Sequence, residues 1–318
     1  MSGPVKLAVV GSGWRSEFHL RMAQAAPHAL QVVAVVAERQ AEAERIALRW
    51  GVPAVRTITE AMAYGPEVVV AAVSWPAMPG VVRELVAAGA KVMAETPPAP
   101  DLAGLRALWS DVGTSGAVQV GEQYVLMPGH ASRLAVTRAG VIGTPTSVEI
   151  ASTHLYHAVS LVRAFLDVGM DDVVVNARSF VAPLADPLRF EGWLQDPEPE
   201  PRTTTIATLD FGDGRMGLYN FVENQWWNPL LARRIVVRGS LGEMVDDAVT
   251  RLTAEGAVTS PIVYRRTGVD MNLEGNEVVH ASFDGRVVYR NPWVGTRLSE
   301  DDIAVASHLA AVGAWARD

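Results

Sequence analysis

Two histidines three positions apart, His154 and His157, come at the start of a helix-like segment, STHLYHAVSLVRAF, with Tyr156 between them. An imidazole titrates close to neutral pH, so it can take a proton from a hydroxyl group and later return one. We therefore expect proton-transfer chemistry at this position. His154 is the candidate acid or base, and His157 or Tyr156 would assist it.

The same spacing has two other interpretations. On a helix, the two histidines share one face with Ala158, Leu161 and Phe165, a pattern typical of side chains that pack into a core or cap a helix. Two histidines could also begin a metal site. The sequence contains no cysteine and no obvious third and fourth ligand, so we predict no metal.

A second pattern with chemical meaning is LAVVGSGWRS, near the start of the chain. An apolar run leads into Gly11, which permits a tight turn, and Gly13 lets the backbone approach a diphosphate whose charge the following helix attracts. Ser16 takes the third glycine position and is small enough for a helix to pack closely on a strand. The alternative is a glycine turn without a ligand, because short motifs also match by chance. The residues that would line a dinucleotide site here are Gly11, Ser12, Gly13, Trp14 and Arg15.

The adenosine end of such a site usually has an acidic residue about 20 residues beyond the glycines. Here the second apolar run ends with Glu38 and Arg39. Glu38 would accept hydrogen bonds from the ribose hydroxyls and favours NAD, whereas Arg39 would pair with a 2′-phosphate and favours NADP. We predict NAD or NADP, with a preference for NAD. A solvated charge pair at the end of a strand is the alternative.

Three stretches together resemble the glucose-fructose oxidoreductase, inositol dehydrogenase and rhizopine-catabolism family, called Gfo/Idh/MocA. They are the glycine turn, GAKVMAETPPAP at 89–100 and GVIGTP at 140–145. The resemblance covers nearly the whole chain. It implies a nicotinamide-dependent oxidoreductase that acts on sugar or cyclitol-like alcohols. In the family the second stretch ends Glu-Lys-Pro, and the lysine helps to polarise the substrate oxygen.

Here the same stretch reads Glu95-Thr96-Pro97. The resemblance implies cofactor contacts for Glu95 and Pro97, and it leaves Thr96 at most a neutral hydrogen-bond donor in place of a cation. The family helix start GxHxxD matches His154 at its histidine, and His157 stands at its aspartate position.

Seven further residues have candidate roles, with core packing as the alternative for each. Ser74 and Trp75 follow the fourth strand, where the resemblance implies contact with the cofactor. Gln123 and Tyr124 lie where the family chain crosses into its second domain, so we expect Gln123 near the cofactor and Tyr124 near the substrate. Trp226, with Gln225 and Trp227 beside it, would line the apolar face of a sugar ring.

The elements that must position these residues change in character near residue 122. Before it, short apolar runs alternate with helical patterns, which predicts the βαβ order of a Rossmann, doubly wound parallel sheet in a dinucleotide-binding domain at 1–122. The predicted strands lie at 5–10, 31–36, 54–56, 68–73, 92–94 and 117–120, and the predicted helices at 14–26, 40–50, 57–64, 78–88 and 101–112.

Residues 123–318 read as an α+β domain with a large, open and mainly antiparallel sheet, for substrate binding and oligomerisation. The predicted strands are SVEIAST, DVVVNARSF, TTTIATLDF, GRMGLYNF, RRIVVRGS, EMVDDAVTRLT, PIVYRR, EVVHASF and RVVYRN. Two helices are expected, at 155–167 and at 299–316, and Ser299 with Asp302 would form a capping box for the second. The proline-rich stretch 182–202 is long for a connection, which suggests a lid over a site or a mobile excursion.

Composition limits the partners. The 318 residues carry a net charge of −8 and show no basic stripe with interleaved aromatics, so we expect neither nucleic acid nor a membrane surface as a partner. There is no signal-peptide-like start and no apolar run long enough for a membrane span, which predicts a cytoplasmic protein with a small-molecule substrate. The resemblance implies a homo-dimer or homo-tetramer that associates through the second-domain sheet, and an uncovered sheet face would otherwise expose an apolar patch.

The missing lysine leaves several functions open. The leading hypothesis is an NAD(P)-dependent oxidoreductase with His154 as its acid or base. A glycosidase-like enzyme that keeps its NAD through an oxidation–reduction cycle is one alternative. A non-catalytic protein that binds dinucleotide or sugar is another, and an oxidoreductase whose proton donor is Tyr124, Tyr156 or His157 is the third.

Overall fold

The computed structural model describes residues 3–268, 270, 272 and 275–318. By its internal contacts the chain forms two compact units. The first unit comprises Met1–Leu126, Gly268–Glu277 and Pro292–Asp318, and the second comprises Met127–Thr267 and Val278–Asn291. The division differs from a single boundary at residue 122, because the C-terminal segment belongs to the first unit.

The first unit contains a six-stranded parallel sheet. Its strands are β1 (Val5–Val10), β2 (Leu30–Val36), β3 (Ala54–Val55), β4 (Val68–Ala71), β5 (Val92–Ala94) and β6 (Val118–Val120). They are arranged in the order β3-β2-β1-β4-β5-β6, which is the doubly wound order of a Rossmann fold. The central strand β4 is buried at every position because helices cover both faces of the sheet. The predicted Rossmann fold is confirmed.

Five helices follow the strands of this sheet. They are α1 (Trp14–Ala25), α2 (Gln40–Trp50), α3 (Ile58–Met62), α4 (Met78–Ala87) and α5 (Leu102–Val112). Their starts follow local sequence signals. Thr57 and Glu60 form a capping box at α3, and the Asp101 carboxylate accepts a hydrogen bond from Gly104 N–H at α5.

The second unit contains the remaining strands. In chain order these are β7 (Pro145–Ala151), β8 (Val174–Leu184), β9 (Leu188–Arg189), β10 (Gly192–Trp193), β11 (Glu200–Asp210), β12 (Met216–Val222), β13 (Arg234–Gly239), β14 (Gly242–Val245), β15 (Ala248–Thr253), β16 (Gly256–Pro261), β17 (Val263–Thr267), β18 (Glu277–Phe283) and β19 (Arg286–Arg290). Eight of them form one sheet in the order β16-β15-β14-β13-β7-β12-β11-β8, in which β7 and β12 are parallel and the other neighbours are antiparallel. The predicted large, mainly antiparallel sheet is confirmed.

Two helices belong to the second unit, α6 (Pro128–Arg138) and α7 (Leu155–Leu166). Helix α7 packs closely on one face of the large sheet, because a Cβ added at Gly217 on β12 would lie only 2.7 Å from Val162 Cγ1. Helix α6 is absent from the sequence prediction. Pro128 and Gly129 resemble a turn signal, but proline is also favoured in the first turn of a helix, and that is its position here.

The stretch 182–202, expected as a lid or a mobile excursion, contains regular structure: β8 runs to Leu184, β9 and β10 form a short hairpin, and β11 starts at Glu200. Proline is tolerated there because β8 is an edge strand and Pro183 pairs with Pro201 at its end. EMVDDAVTRLT is not one strand but two, β14 and β15, with Asp246 at a φ of 49° in the turn between them. Strand β16 follows and was not predicted.

The last helix, α8 (Glu300–Arg317), begins with the predicted capping box of Ser299 and Asp302. On its apolar face, Val305, Leu309 and Val312 are buried in the core of the first unit, and Trp315 is partly buried against that core. Contact with β1 is close, since a Cβ added at Gly313 would lie 2.3 Å from a Val5 methyl carbon. None of the helices in the described ranges is long and apolar enough to cross a membrane.

Candidate functional site

The turn after β1 can be made only with glycine at its first position. Gly11 has a φ of 125°, and a Cβ added there would lie 2.2 Å from the Ala72 carbonyl oxygen. Its N–H donates to the Val36 carbonyl at 3.0 Å, which anchors the turn to β2. The glycine therefore allows β1 to turn into α1 directly over the carboxyl end of the sheet.

Gly13 and Ser16 complete this turn in different ways. Gly13 is the N-cap of α1, and no described atom lies within 4 Å of a Cβ placed on it, so the space in front of the helix N-terminus is open. Ser16 is fully buried and its hydroxyl donates to the Ala72 carbonyl at 3.3 Å. The residue at the third glycine position thus ties the helix to the segment after β4.

Arg45 on α2 also stabilises the glycine turn, and no sequence pattern predicted this contact. Arg45 Nη2 donates to the Ser12 carbonyl at 3.1 Å, and the same guanidinium bonds Glu17 and Glu42. The bonds to these two carboxylates raise the pKa of Arg45. The pKa of Glu17 is lowered, because the hydrogen bond and charge of Arg45 outweigh the opposing effect of burial. Arg45 lies far from the turn in sequence, so no local motif indicates this contact.

A buried cluster forms where β5 ends. Glu95 Oε1 lies 2.7 Å from His19 Nε2 and 2.7 Å from Arg15 Nε. Burial opposes ionisation of Glu95, but hydrogen bonding and electrostatic attraction from His19 and Arg15 outweigh it and lower its pKa to about 2. The Arg15 guanidinium also lies 4.5 Å from the centre of the Phe18 ring. Glu95 is therefore an anion that holds Arg15 beside the start of α1.

The predicted adenosine-end residues lie at the end of β2 and are exposed. Arg39 Nη2 lies 3.4 Å from Glu42 Oε1, and the Arg39 side chain is 79% exposed. The Glu38 carbonyl accepts from Arg56, whose Nη1 also donates to Gln40 at 3.1 Å. Arg56 is a second cation at this end of the sheet that the sequence analysis did not single out.

The other predicted cofactor residues lie at the carboxyl ends of β4, β5 and β6, on the same edge of the parallel sheet. Ser74 and Trp75 are exposed, and so is Trp14. Thr96 and Pro97 are partly exposed and joined by a cis peptide bond.

The segment after β6 contributes Gln123 and Tyr124. Gln123 is buried, and its Nε2 donates to Asp301 on α8 at 3.3 Å. Tyr124 is partly buried in a 3-10 turn, and its N–H donates to Glu122 Oε1 at 3.1 Å. All the predicted cofactor residues are thus brought to one edge of the sheet in the first unit.

In the second unit, the predicted acid–base residues His154, Tyr156 and His157 meet at the start of α7, whereas Thr96 lies in the first unit. His154 is the N-cap of the helix, and its ring centre lies 5.0 Å from that of His157 and 5.4 Å from that of Tyr156. His157 is buried, whereas His154 and Tyr156 are partly exposed. His157 therefore lies on the packed face of α7, as the core interpretation requires, and His154 retains access to solvent.

Trp226 joins this group from the turn after β12. Its ring centre lies 4.9 Å from that of His154 and 5.5 Å from that of Phe221, with which it is nearly parallel. Gln225 is buried and its Nε2 donates to two carbonyls, those of Ala151 and Ala232, which fixes the turn. The sequence distance between His154 and Trp226 is closed by the pairing of β7 with β12. We call the rings of His154, Tyr156, His157, Phe221 and Trp226 the aromatic–histidine cluster.

Residues 5–122 match the model of an oxidoreductase family, GFO_IDH_MocA, with an NAD-binding Rossmann fold. The match covers the six-stranded parallel sheet of the first unit. The family resemblance is confirmed, and the match supports the prediction of an NAD(P)-dependent oxidoreductase. Comparison with curated protein sequences gives no significant match.

Solved structures of low sequence identity share the fold of this chain. A levoglucosan dehydrogenase in complex with NADH and levoglucosan has a TM-score of 0.65 at 16% identity, covering 99% of this chain and 90% of that one. A myo-inositol dehydrogenase from Corynebacterium glutamicum has a TM-score of 0.63 at 17% identity, covering 99% and 89%. A biliverdin reductase from Synechocystis in complex with biliverdin and NADP⁺ has a TM-score of 0.57 at 14% identity, covering 98% and 99%. One scaffold therefore serves chemically unrelated substrates, so the fold does not identify the substrate of this chain.

The described ranges contain no assembled set of metal ligands. No three His, Asp or Glu side chains come together there in a way that could hold a metal ion.

Proposed function

We propose that the chain is an NAD(P)-dependent oxidoreductase that acts on a sugar or cyclitol-like alcohol. The observation that carries the proposal is the placement of His154, a partly exposed imidazole at a helix start, against Trp226 and His157. A dehydrogenase needs a group that removes the hydroxyl proton as the hydride leaves, and imidazole suits that task at neutral pH. The flat indole of Trp226 beside it is the kind of surface on which sugar rings bind.

The turn after β1 suits a dinucleotide. Gly11 adopts the positive φ that this turn requires, and the space beside Gly13 at the start of α1 is open. A diphosphate would be held there by the helix N-terminus, and Glu38 or Arg39 would meet the adenosine ribose. A bound nicotinamide dinucleotide would accept or supply the hydride. Our proposal favours NAD, because the Arg39 guanidinium lies 3.4 Å from the Glu42 carboxylate, and a 2′-phosphate would have to compete with that ion pair.

The residues of this chain would then carry out proton transfer and stabilise the developing charge. His154 would take the hydroxyl proton. Position 96, where the family resemblance implies a lysine, carries the neutral side chain of Thr96. A single well-placed donor is typically worth about 3 to 4 kcal/mol in such a reaction. Without a positioned ammonium at residue 96, the proposed turnover depends more heavily on His154 and its neighbours.

The first test is calorimetric titration of nucleotide-free protein with NAD, NADH, NADP and NADPH. We expect micromolar binding of the NAD pair, and a preference for the NADP pair would instead assign the ribose end to Arg39. A screen of sugars and cyclitols for nicotinamide absorbance then identifies the substrate. The absence of binding by all four dinucleotides would contradict the proposal.

The second test is His154→Gln. We expect kcat to fall by about 10² or more while the Kd for the dinucleotide stays unchanged, because general acid–base catalysis is typically worth 10² to 10⁴. His28→Gln is the matched control, since His28 is an exposed histidine of the first unit. If turnover proceeds with copurified nucleotide and no net change in nicotinamide absorbance, the enzyme is of the glycosidase-like kind. If dinucleotide binds and no substrate turns over, a binding protein remains.

A further inference from the structure

The residue directly after His154 has an unusual backbone conformation. Leu155 has a φ of 40°, in the left-handed region that residues with a Cβ seldom adopt. It is the first residue of α7, and the residue is 59% exposed, so burial does not hold it in place. Backbone strain of this kind persists only where the surroundings enforce it, and it is frequent at functional sites.

One hydrogen bond reaches this residue from the sheet. Tyr219 Oη accepts from Leu155 N–H at 3.1 Å. Leu155 N–H belongs to the first turn of the helix, where no backbone carbonyl of the helix is available to it. Burial raises the pKa of Tyr219 despite the opposing effect of this bond, so the hydroxyl stays protonated and accepts through a lone pair.

Tyr219 is itself fixed by the sheet. It lies on β12, where it pairs with Ile150 on β7 and with Ala207 on β11, and its side chain is buried. The Tyr219 ring lies 6.1 Å from the Phe221 ring at an interplanar angle of 21°. Phe221 in turn stacks on Trp226, and Trp226 contacts the imidazole of His154. A column of rings therefore supports His154 at its imidazole, while the Tyr219 hydroxyl supports the adjacent backbone.

We infer that Tyr219 is a positioning residue for His154. Its hydroxyl holds Leu155 in the left-handed conformation and thereby sets the direction in which the His154 imidazole leaves the helix start. The expected effect on kcat rests on the proposed function, whereas the expected effect on the orientation of the His154 imidazole does not.

The direct test is Tyr219→Phe, which keeps the ring column and removes only the hydroxyl. We expect kcat to fall at least tenfold, with KM changed less than twofold and the melting temperature little affected. Tyr264→Phe is the matched control, because Tyr264 is another tyrosine of the second unit, and its hydroxyl donates at 3.0 Å to Asp247, which is not part of α7. An equal loss of kcat in both variants would mean that a tyrosine hydroxyl in this unit acts only through general stability.

Two changes at Leu155 test the same hydrogen bond from its other end. Leu155→Pro removes the N–H and forbids a positive φ, yet proline is favoured at the first position of a helix and His154 already has the extended backbone that precedes proline. We expect this variant to fold and to lose kcat as Tyr219→Phe does. In Leu155→Gly the left-handed conformation needs no support, so adding Tyr219→Phe to it should cost less than threefold in kcat.

A readout independent of activity separates this inference from the proposed function. The imidazole ¹⁵N signals of His154, assigned by their loss in His154→Gln, should shift in Tyr219→Phe and return toward their original positions in Tyr219→Phe/Leu155→Gly. If the wild-type chain oxidises no alcohol, the proposed function fails and these signals still decide the inference. Unchanged His154 signals in Tyr219→Phe, or an undiminished effect of Tyr219→Phe in the Leu155→Gly background, would overturn it.

Discussion

His19 Nε2 lies 2.7 Å from Glu95 Oε1 in the buried interior of the first unit. An ionised carboxylate can only accept hydrogen bonds, so Nε2 is the ring nitrogen that carries the proton. Arg15 Nε reaches the same oxygen. One carboxylate oxygen at the end of β5 therefore joins two residues of α1, and these contacts fix the first turns of that helix next to the glycine turn.

The first prediction concerns the charge of Glu95. In Glu95→Gln we expect the free energy of unfolding at pH 7 to fall by about 3 kcal/mol, the equivalent of a pKa lowered from 4.5 to about 2. Because the pKa of the folded state is lowered, this contribution is complete above pH 4.5 and is lost as pH falls toward 2. Urea unfolding at pH 7 and pH 3.5 should show a larger difference between variant and wild type at pH 7.

The matched control is Glu67→Gln. Glu67 also has a lowered pKa, because of its hydrogen bonds with Arg317 and Lys6, but its side chain is 29% exposed at the surface. Surface ion pairs typically contribute about 0 to 1 kcal/mol. Equal destabilisation by the two substitutions would mean that burial of the His19–Glu95 pair has no special effect.

The second prediction separates the two roles of glycine in the turn after β1. Gly11→Ser places a Cβ against the Ala72 carbonyl at a positive φ, so we expect a loss of about 2 to 4 kcal/mol in stability. Gly13→Ser adds its Cβ to open space at an N-cap, where serine is favoured, so stability should change by less than about 0.5 kcal/mol.

Dinucleotide binding should respond differently from stability. Gly13→Ser would block the backbone approach to a diphosphate, and we expect the Kd measured by calorimetry to rise at least about tenfold, or about 1.4 kcal/mol. A folded Gly13→Ser variant with the wild-type Kd would show that no diphosphate lies in front of α1.

The parts of the fold that the sequence predicted correctly are those with local signals. The strands β1 to β6 are apolar runs between glycine turns and capping residues. The start of α8 is indicated by its capping box, Ser299 with Asp302. Helix α6 and strand β16 were not predicted, because Pro128-Gly129 and the turn around Glu255 are sequence signals typical of loops. These segments become a helix and a strand through tertiary packing and strand pairing, which a local signal does not indicate.

The candidate site shows the same limit. His154 and Gly11 are visible in the sequence, because their neighbours form recognisable motifs. Arg45, which braces the glycine turn, and Tyr219, which bonds the start of α7, are supplied by distant segments and carry no motif of their own. Contacts of this kind are set by sheet register and helix packing, which a single sequence does not reveal.

The third prediction concerns association through the large sheet. The face opposite α7 carries apolar side chains on neighbouring strands, among them Phe180 on β8 and Ile206 on β11, each nearly half exposed. We propose that this face joins two copies of the chain, because exposed apolar patches of this kind mark interaction sites. Light scattering should give a mass of at least twice 34.1 kDa.

Ile206→Glu should shift that mass toward one chain, since it adds a charge to the proposed interface. Leu48→Glu is the control, because Leu48 on α2 is 90% exposed and lies in the first unit. A wild-type mass of one chain rules out the proposed association, and an unchanged mass in Ile206→Glu assigns it to a different surface.

The fourth prediction is a pH dependence centred on His130, a buried histidine of α6. Burial lowers its pKa to about 3, and the positive charges of Arg133 and Arg233 act in the same direction. The folded chain thus keeps this imidazole neutral, whereas the unfolded chain binds a proton to it below about pH 6.5. Since the unfolded state binds more protons between pH 6.5 and 3, the free energy of unfolding falls as pH falls through that range, by up to about 1.4 kcal/mol per pH unit.

Substituting His130→Gln should remove that contribution. We expect the variant to be less stable than wild type at pH 7.5, because a packed ring is lost, and the difference between the two to shrink as pH is lowered from 6.5 to 5. The carboxylates with lowered pKa, Glu95 among them, act below pH 4.5, so they do not contribute in this window. Burial of His308 lowers its pKa in the same sense, but it is present in both proteins and cancels in the difference. Urea unfolding at half-unit pH intervals measures the two curves, and parallel curves from pH 7.5 to 5 would mean that His130 is protonated equally in the folded and unfolded chain.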